Sequence, residues 1–194
     1  MRGVLVLNEQ EAHFDELFTQ DSDPWGYRTE FAEQRRHQLL MAMLESASYS
    51  SVFEPGCANG TLTELLAGRA DRVLAWDASG RAVMRARAAV GSLANVHVEQ
   101  GSVPDQWPLQ TFDLIVLSDF LYYLDDGGAR RVVERSAQSV SAGGSIVVCH
   151  WLGSAHDFQI PGGVAVHEVV ESVLGPATGP VYLDDRQIIA GWRR

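Results

Sequence analysis

Short apolar runs alternate with amphipathic segments along most of this chain. Where a few apolar residues stand between turn signals, strands are predicted, at residues 51–54, 72–76, 95–99, 112–118 and 145–150. Where apolar residues recur with helical period, helices are predicted, at residues 29–45, 61–68, 79–90, 128–140 and 166–174. The first 28 residues are polar and are predicted to be irregular. This alternation favours an α/β fold with a parallel sheet.

Two helix starts carry capping signals. Thr61 and Glu64 have the spacing of a capping box, and Ser79 is predicted to be the N-cap of the next helix. The strands at 112–118 and 145–150 are continuous apolar runs, which is typical of parallel strands buried on both faces.

The chain ends differently, with two strand candidates at 181–183 and 187–192. The three residues between them are too few for a parallel crossover, so this pair is predicted to be antiparallel. The strand at 187–192 is expected at an exposed edge, where it offers a route to a homodimer. We expect one domain over 1–194, with an N-terminal lid or helical segment at 1–48 and the core at 49–194.

Composition narrows the class of partner. The 194 residues carry a formal net charge of −10, with no basic cluster, so nucleic acids and anionic membranes are poor partners. A neutral or cationic small molecule suits this charge better. All 15 basic residues are Arg, which excludes a mechanism that needs a lysine Schiff base.

No apolar run is long enough to span a membrane, and the start lacks the features of a signal peptide, so a cytoplasmic protein is expected. Cys57 and Cys149 lack the spacing of a metal site and are predicted to be small buried residues. No metal site is predicted.

The strongest chemical signal is the segment E-P-G-C-A-N-G at residues 54–60, between a strand and a helix. Its glycines allow a tight turn and close approach of a ligand to a helix N-terminus. A dinucleotide-binding loop or a plain tight turn is the alternative reading. The spacing E-x-G-x-x-x-G resembles the first motif of class I methyltransferases that use S-adenosylmethionine (SAM). The resemblance implies cofactor contacts from these residues: Glu54, Gly56, Cys57, Ala58 and Gly60.

Further positions resemble the same family over residues 54–194. This resemblance implies a Rossmann-like seven-stranded sheet with helices on both faces. Asp77 and Ala78 follow the second strand, at a position where a carboxylate can accept hydrogen bonds from the ribose hydroxyls. The alternative is that Asp77 is a helix cap or a surface residue. An Asp common in the family is replaced by Ser102, so Ser102 or the backbone at Val103 is expected to contact the adenine. Ser118 ends the fourth strand at the ligand-binding edge of the sheet.

A narrower likeness covers nearly the whole chain. The segment D-P-W-G-Y at 23–27, with Arg35 downstream, is similar to the start of the nodulation protein S (NodS) family, as are L-I-V-L-S at 114–118 and Y-Y-L at 122–124. The resemblance implies a bacterial N-methyltransferase of secondary metabolism that acts on amino groups of sugars or oligosaccharides. It adds Trp25, Tyr27 and Arg35 to the expected cofactor site.

An amine acceptor must lose a proton before it attacks a methyl group. His150 and His167 are the candidate bases, and Asp119 is the candidate partner of an ammonium group; a purely structural role for either imidazole is equally open. Three other functions compete: a methyltransferase acting on oxygen or carbon, a nicotinamide-dependent oxidoreductase, and a SAM-binding protein without catalysis. The missing G-x-G-x-x-G and the terminal hairpin argue against the oxidoreductase.

Overall fold

The computed structural model describes the backbone of residues 2–194 and the side chains from residue 10 onward. The helices are α1 (Arg2–Gln20), α2 (Phe31–Met43), α3 (Thr61–Ala67), α4 (Gly80–Val90), α5 (Asp126–Ser139) and α6 (Gly162–Leu174). The strands are β1 (Val52–Pro55), β2 (Val73–Asp77), β3 (Val96–Gln100), β4 (Phe112–Ser118), β5 (Val140–Trp151), β6 (Val181–Leu183) and β7 (Gln187–Arg193). A short 3₁₀ turn at Leu121–Tyr123 follows β4.

These strands form one seven-stranded sheet in the order β3-β2-β1-β4-β5-β7-β6. Strands β1 to β5 pair in parallel, and β7 runs antiparallel to both β5 and β6. The predicted Rossmann-like fold and the antiparallel terminal hairpin are therefore confirmed. The strand order reverses between β1 and β4, and open α/β sheets bind ligands beyond the carboxyl ends of their strands at such a point.

The core lies on both faces of the sheet, as the apolar run of β4 predicts. Leu114 and Val116 pack in the cluster that contains Leu40 of α2 and Leu66 of α3. Neighbouring residues of β4 point the other way, into the cluster formed with α5 and α6. Burial on both faces explains why this strand is a continuous apolar run.

The prediction of an irregular N-terminus was wrong, because α1 is a helix through Gln20. The sequence pattern did not indicate this helix, because few apolar residues of α1 form a stripe. Phe14 and Phe18, one helical turn apart, both pack against Trp25, with ring centroids at 6.3 and 5.5 Å. The helix is thus held by tertiary contacts rather than by a strong amphipathic pattern.

The capping box at Thr61 is also wrong. Gly60 is the N-cap of α3, in the left-handed region at φ 79°, and Glu64 points away to contact Arg28 at 3.4 Å. By contrast, Ser79 caps α4 as predicted, because its hydroxyl accepts a hydrogen bond from the Ala82 N–H at 3.1 Å.

Strand β7 is not an edge strand, which removes the predicted route to a homodimer through it. It lies between β5 and β6, and the edges of the sheet are β3 and β6. Strand β5 also begins earlier than predicted, at Val140, and its pairing register with β4 shifts between Val140 and Ser145, where Gly143 has φ 78°.

Both cysteines are buried and unpaired, as predicted. Within residues 2–194, no helix combines the length and hydropathy that a membrane span needs. The same described part of the chain contains no cluster of three or more metal-ligating side chains.

A buried histidine makes the stability of the fold depend on pH. His150 of β5 is fully buried, and neither of its ring nitrogens has a hydrogen-bond partner among the side chains and backbone that the structure describes. Burial lowers its pKa from 6.5 to about 4. Between these values the unfolded chain binds more protons than the folded chain, so the free energy of unfolding falls as the pH drops from 6.5 towards 4.

We therefore expect His150→Leu to flatten this pH dependence in urea unfolding between pH 7 and 4. The variant should gain on the order of 2 kcal/mol relative to the parent protein at the acid end. His97→Gln is the control, because the His97 side chain is 72% exposed. Equal slopes for the parent and His150→Leu would contradict the prediction.

Candidate active site

The loop between β1 and α3 is shaped by its glycines. The N–H groups of Gly56 and Cys57 both donate to the Trp76 carbonyl, at 2.7 and 2.9 Å. Gly56 has φ 75°, and a Cβ there would lie 3.0 Å from the Phe120 ring. At Gly60 a Cβ would lie 2.9 Å from the Cα of Ala86 in α4. The turn therefore needs glycine at both positions, for conformation and for packing.

Asp77, at the end of β2, is the buried carboxylate beside this loop. It accepts hydrogen bonds from the N–H groups of Ala58 at 2.8 Å and Ser79 at 2.9 Å. Burial raises its pKa to about 6, although both backbone donors oppose that shift. Asp77 thus links the glycine loop to the first turn of α4.

A pocket opens at the carboxyl edge of the sheet, above β1, β2 and β4. We call it the cofactor pocket. It contains nine of the sequence-predicted residues: Trp25, Tyr27, Gly56, Ala58, Asp77, Ala78, Ser102, Val103 and Asp119. Its other lining residues are Gln10, Phe14, Gly101, Phe120, Tyr123 and Leu124. Gln10 and Phe14 were missed because α1 itself was missed.

Arg35 does not line this pocket. It lies on the outer surface of α2, where it donates to Asp184 at 3.1 Å and to the Tyr182 hydroxyl at 2.8 Å. The next residue, Arg36, is the one that α2 turns inward, since adjacent helical positions face different directions. Arg36 does not line the cofactor pocket either.

Four other residues that were predicted to contact the cofactor do not line the cofactor pocket: Glu54, Cys57, Gly60 and Ser118. The Thr63 hydroxyl donates to Glu54 at 2.6 Å, and burial raises the pKa of Glu54 to about 8. A carboxyl group in this state is mostly protonated at neutral pH and costs less to bury.

Asp119 gathers contacts from four parts of the chain. Its Oδ1 accepts from the Tyr122 hydroxyl at 3.0 Å and from the Trp151 N–H at 2.8 Å. Its Oδ2 accepts from Ser118 Oγ at 3.2 Å and lies 3.2 Å from Arg36 Nε. The Arg36 N–H is not aimed for a hydrogen bond, so that contact is an ion pair. Asp119 has φ 56°, a conformation that Asp tolerates better than most residues.

A second cavity of about 200 Å³ adjoins the first and shares Trp25, Tyr27 and Tyr123 with it. We call it the aromatic pocket. Its other lining residues are Glu33, Arg36, Tyr122, Trp151, Ala155, Asp157 and Phe158. Tyr122 and Phe158 stack with ring centroids at 3.9 Å. Aromatic rings with two carboxylates and one arginine suit a small ligand that carries a cationic group.

Charge inside the aromatic pocket is only partly balanced. Arg36 pairs with Glu33 as well as with Asp119. Burial raises the pKa of Glu33, and the nearby Arg36 opposes that shift. Asp157 lies 3.1 Å from Nε2 of His13 on α1.

The N-terminal segments cover both pockets. The Asp23 carboxylate accepts from the N–H groups of Tyr27 and Arg28 at 2.8 and 2.9 Å, and from the side-chain amide of Asn59 at 2.8 Å. This ties the segment 23–27 to the glycine loop. On the other side, Gln10 of α1 donates to the backbone carbonyl of Tyr123.

His150 and His167 lie elsewhere. Neither lines the cofactor pocket or the aromatic pocket. Their ring centroids lie 6.2 Å apart in a T-shaped arrangement between β5 and α6, on the face of the sheet that α5 and α6 cover. This placement favours the structural role for both imidazoles over the role of a base.

Removal of the Asp119 side chain should destabilise the fold, because it breaks a buried ion pair of Arg36 and removes the acceptor of three hydrogen bonds at the end of β4. We expect Asp119→Ala to lower the free energy of unfolding by about 3–5 kcal/mol. Asp119→Asn should lose less, since it retains hydrogen-bond acceptance and tolerance of positive φ. Urea unfolding at pH 7 measures both, with the exposed Asp185→Ala as control. A loss for Asp119→Ala no larger than that of the control would refute the importance of this contact.

Similarity to known proteins agrees with this geometry. The family model of nodulation protein S (NodS) matches residues 10–155. The chain is 34% identical to nodulation protein S of Sinorhizobium fredii over 78% of this chain and 70% of the relative, and 31% identical to that of Bradyrhizobium diazoefficiens over 70% and 64%. The chain thus spans about two thirds of the length of these relatives.

Among solved structures, the N-methyltransferase NodS from Bradyrhizobium japonicum WM9, in complex with S-adenosylhomocysteine (SAH), superposes with a TM-score of 0.82. It is 23% identical, with 95% of this chain and 97% of that chain covered, and at this identity it shows the shared fold. The family match, the relatives and the fold agree, and the chain belongs to the nodulation protein S family of SAM-dependent methyltransferases.

Proposed function

We propose that this protein transfers the methyl group of SAM to the nitrogen of a small amine, such as an amino sugar. The observation that carries this proposal is the aromatic pocket beside the cofactor pocket, with Glu33 and Asp157 in its wall. Carboxylates and aromatic faces both attract an ammonium group. The name of the Bradyrhizobium japonicum relative, an N-methyltransferase, supports the same chemistry.

The cofactor pocket offers polar and aromatic groups that SAM would use. Asp77 and Ala78 would contact the ribose, whose two hydroxyls are donors for a buried carboxylate. Ser102 and Val103 would lie along the adenine ring. The small residues Gly56 and Ala58 leave room for the amino-acid part of the cofactor, and Trp25 and Tyr27 offer aromatic faces near a positive sulfonium.

The bound cofactor would supply an electrophilic methyl group. The protein would position the acceptor against it and exclude water. Orientation of this kind contributes on the order of 7–11 kcal/mol to a displacement between two bound molecules. Asp119 orients the groups around it, since it joins β4, β5 and the 3₁₀ turn at the edge where both pockets meet. The segment 1–48 acts as a lid over both ligands.

Loss of the Asp77 carboxylate should weaken binding of the cofactor. We expect Asp77→Ala to bind SAH on the order of 10- to 100-fold more weakly in calorimetry, because charged hydrogen bonds to the ribose are lost. Asp77→Asn, which retains the shape, separates this loss from damage to the loop. Asp71→Ala is the control, because Asp71 is exposed ahead of β2. Unchanged affinity in both Asp77 variants would refute this role.

Paired acceptors test the proposed amine. The purified protein is incubated with SAM and with glucosamine, phenethylamine or ethanolamine, each beside its hydroxyl counterpart glucose, phenethyl alcohol or ethylene glycol. We expect a mass gain of one methyl group on at least one amine and on none of the alcohols. Methylation of an alcohol alone would replace the amine with an oxygen acceptor. Binding of NAD without binding of SAM would overturn the whole proposal.

A further inference from the structure

An amine reaches the methyl group as a nucleophile only after it has lost a proton, so the aromatic pocket needs a proton acceptor. Asp119 is poorly placed for this role. A carboxylate has about four lone-pair sites. Three hydrogen bonds and the ion pair with Arg36 already occupy those of Asp119. Asp119 is therefore a positioning residue.

Glu33 differs from Asp119 in that one of its carboxylate oxygens is free to accept a hydrogen bond. It lines the aromatic pocket from α2, and its side chain is 16% exposed. Arg36 contacts Oε2, whereas no hydrogen bond within the described part of the chain reaches Oε1. One oxygen of Glu33 is thus available to a ligand, and its partial exposure leaves a path for a proton to water.

We propose that Glu33 receives the proton of the acceptor's ammonium group and is a catalytic residue of this site. This inference rests on the proposed amine methylation. The carboxylate takes one proton from the ammonium group, and the freed lone pair forms the nitrogen–carbon bond. The sulfur–carbon bond breaks at the same time, its electron pair stays on sulfur, and Glu33 then releases its proton to water.

The charged neighbours of Glu33 suit such a cycle. Arg36 on the same helix and Arg186 in the turn before β7 favour the carboxylate form, whereas Asp119 at the end of β4 disfavours it. Asp157, after β5, also faces the pocket. Burial is the largest influence, and it raises the pKa of Glu33 from its ordinary value of 4.5. A carboxylate with a raised pKa is a better base near neutral pH.

The test compares Glu33→Gln with the parent protein and with Glu30→Gln, a matched change at an exposed position next to α2. Turnover of glucosamine with SAM is measured from pH 6 to pH 9, and binding of SAH by calorimetry. We expect kcat of Glu33→Gln to fall about 100-fold at pH 7. The deficit should narrow towards pH 9, where the amine in solution is already neutral. SAH affinity should not change, and Glu30→Gln should behave like the parent protein.

A second measurement does not depend on turnover. Glucosamine is titrated into the complex with SAH at pH 7, where loss of the Glu33 carboxylate should weaken binding about tenfold. Amine affinity that is equal in the parent and in Glu33→Gln would overturn the inference. Full activity in Glu33→Gln, or a deficit that is the same at every pH and comes with weaker SAH binding, would also overturn it while amine methylation stands. A parent protein that methylates only alcohols would overturn both proposals.

Discussion

The ion pair between Arg36 and Asp119 joins the helical N-terminal region to the sheet. Both side chains are almost fully buried, at 6% and 3% exposure, so the charge of Asp119 is compensated by Arg36, and that of Arg36 by Asp119 together with Glu33. Asp119 sits in the left-handed region directly after β4, and this conformation turns its carboxylate back towards β5 and the 3₁₀ turn. A single side chain thereby fixes four segments at the edge of the sheet.

The position of α2 follows from this contact, and the aromatic pocket follows from α2. Because Arg36 must reach Asp119, Glu33 on the preceding turn is brought to the same wall. Tyr27 lies over the Arg36 guanidinium at 6.0 Å and also lines the cofactor pocket. The two pockets are therefore neighbours, because Asp119 lines one and its partner Arg36 lines the other, and three aromatic residues, Trp25, Tyr27 and Tyr123, line both.

The sheet and the cofactor loop were predictable from the sequence, because both arise from local patterns. The continuous apolar run of β4 and the spacing of Gly56 and Gly60 carry their structural reason within a few residues. The inward turn of Arg36 rather than Arg35 was not predictable, since it depends on which side of α2 meets the sheet. Likewise, His150 has the sequence position of a site residue, but strand alternation directs it to the face covered by α6.

The sequence also gave no indication of how three buried carboxyl groups at one edge of the sheet are compensated. Glu54 retains its proton, since burial raises its pKa to about 8. Asp77 relies on two backbone donors, and its pKa is still raised to about 6. Asp119 forms an ion pair with the buried Arg36. Among the side chains described from residue 10 onward, Asp77 is thus the one of the three carboxyl groups that has neither a retained proton at neutral pH nor an ion pair. A ligand that brings hydroxyl donors would give this carboxylate further hydrogen bonds, so binding the cofactor of the family would stabilise the folded protein.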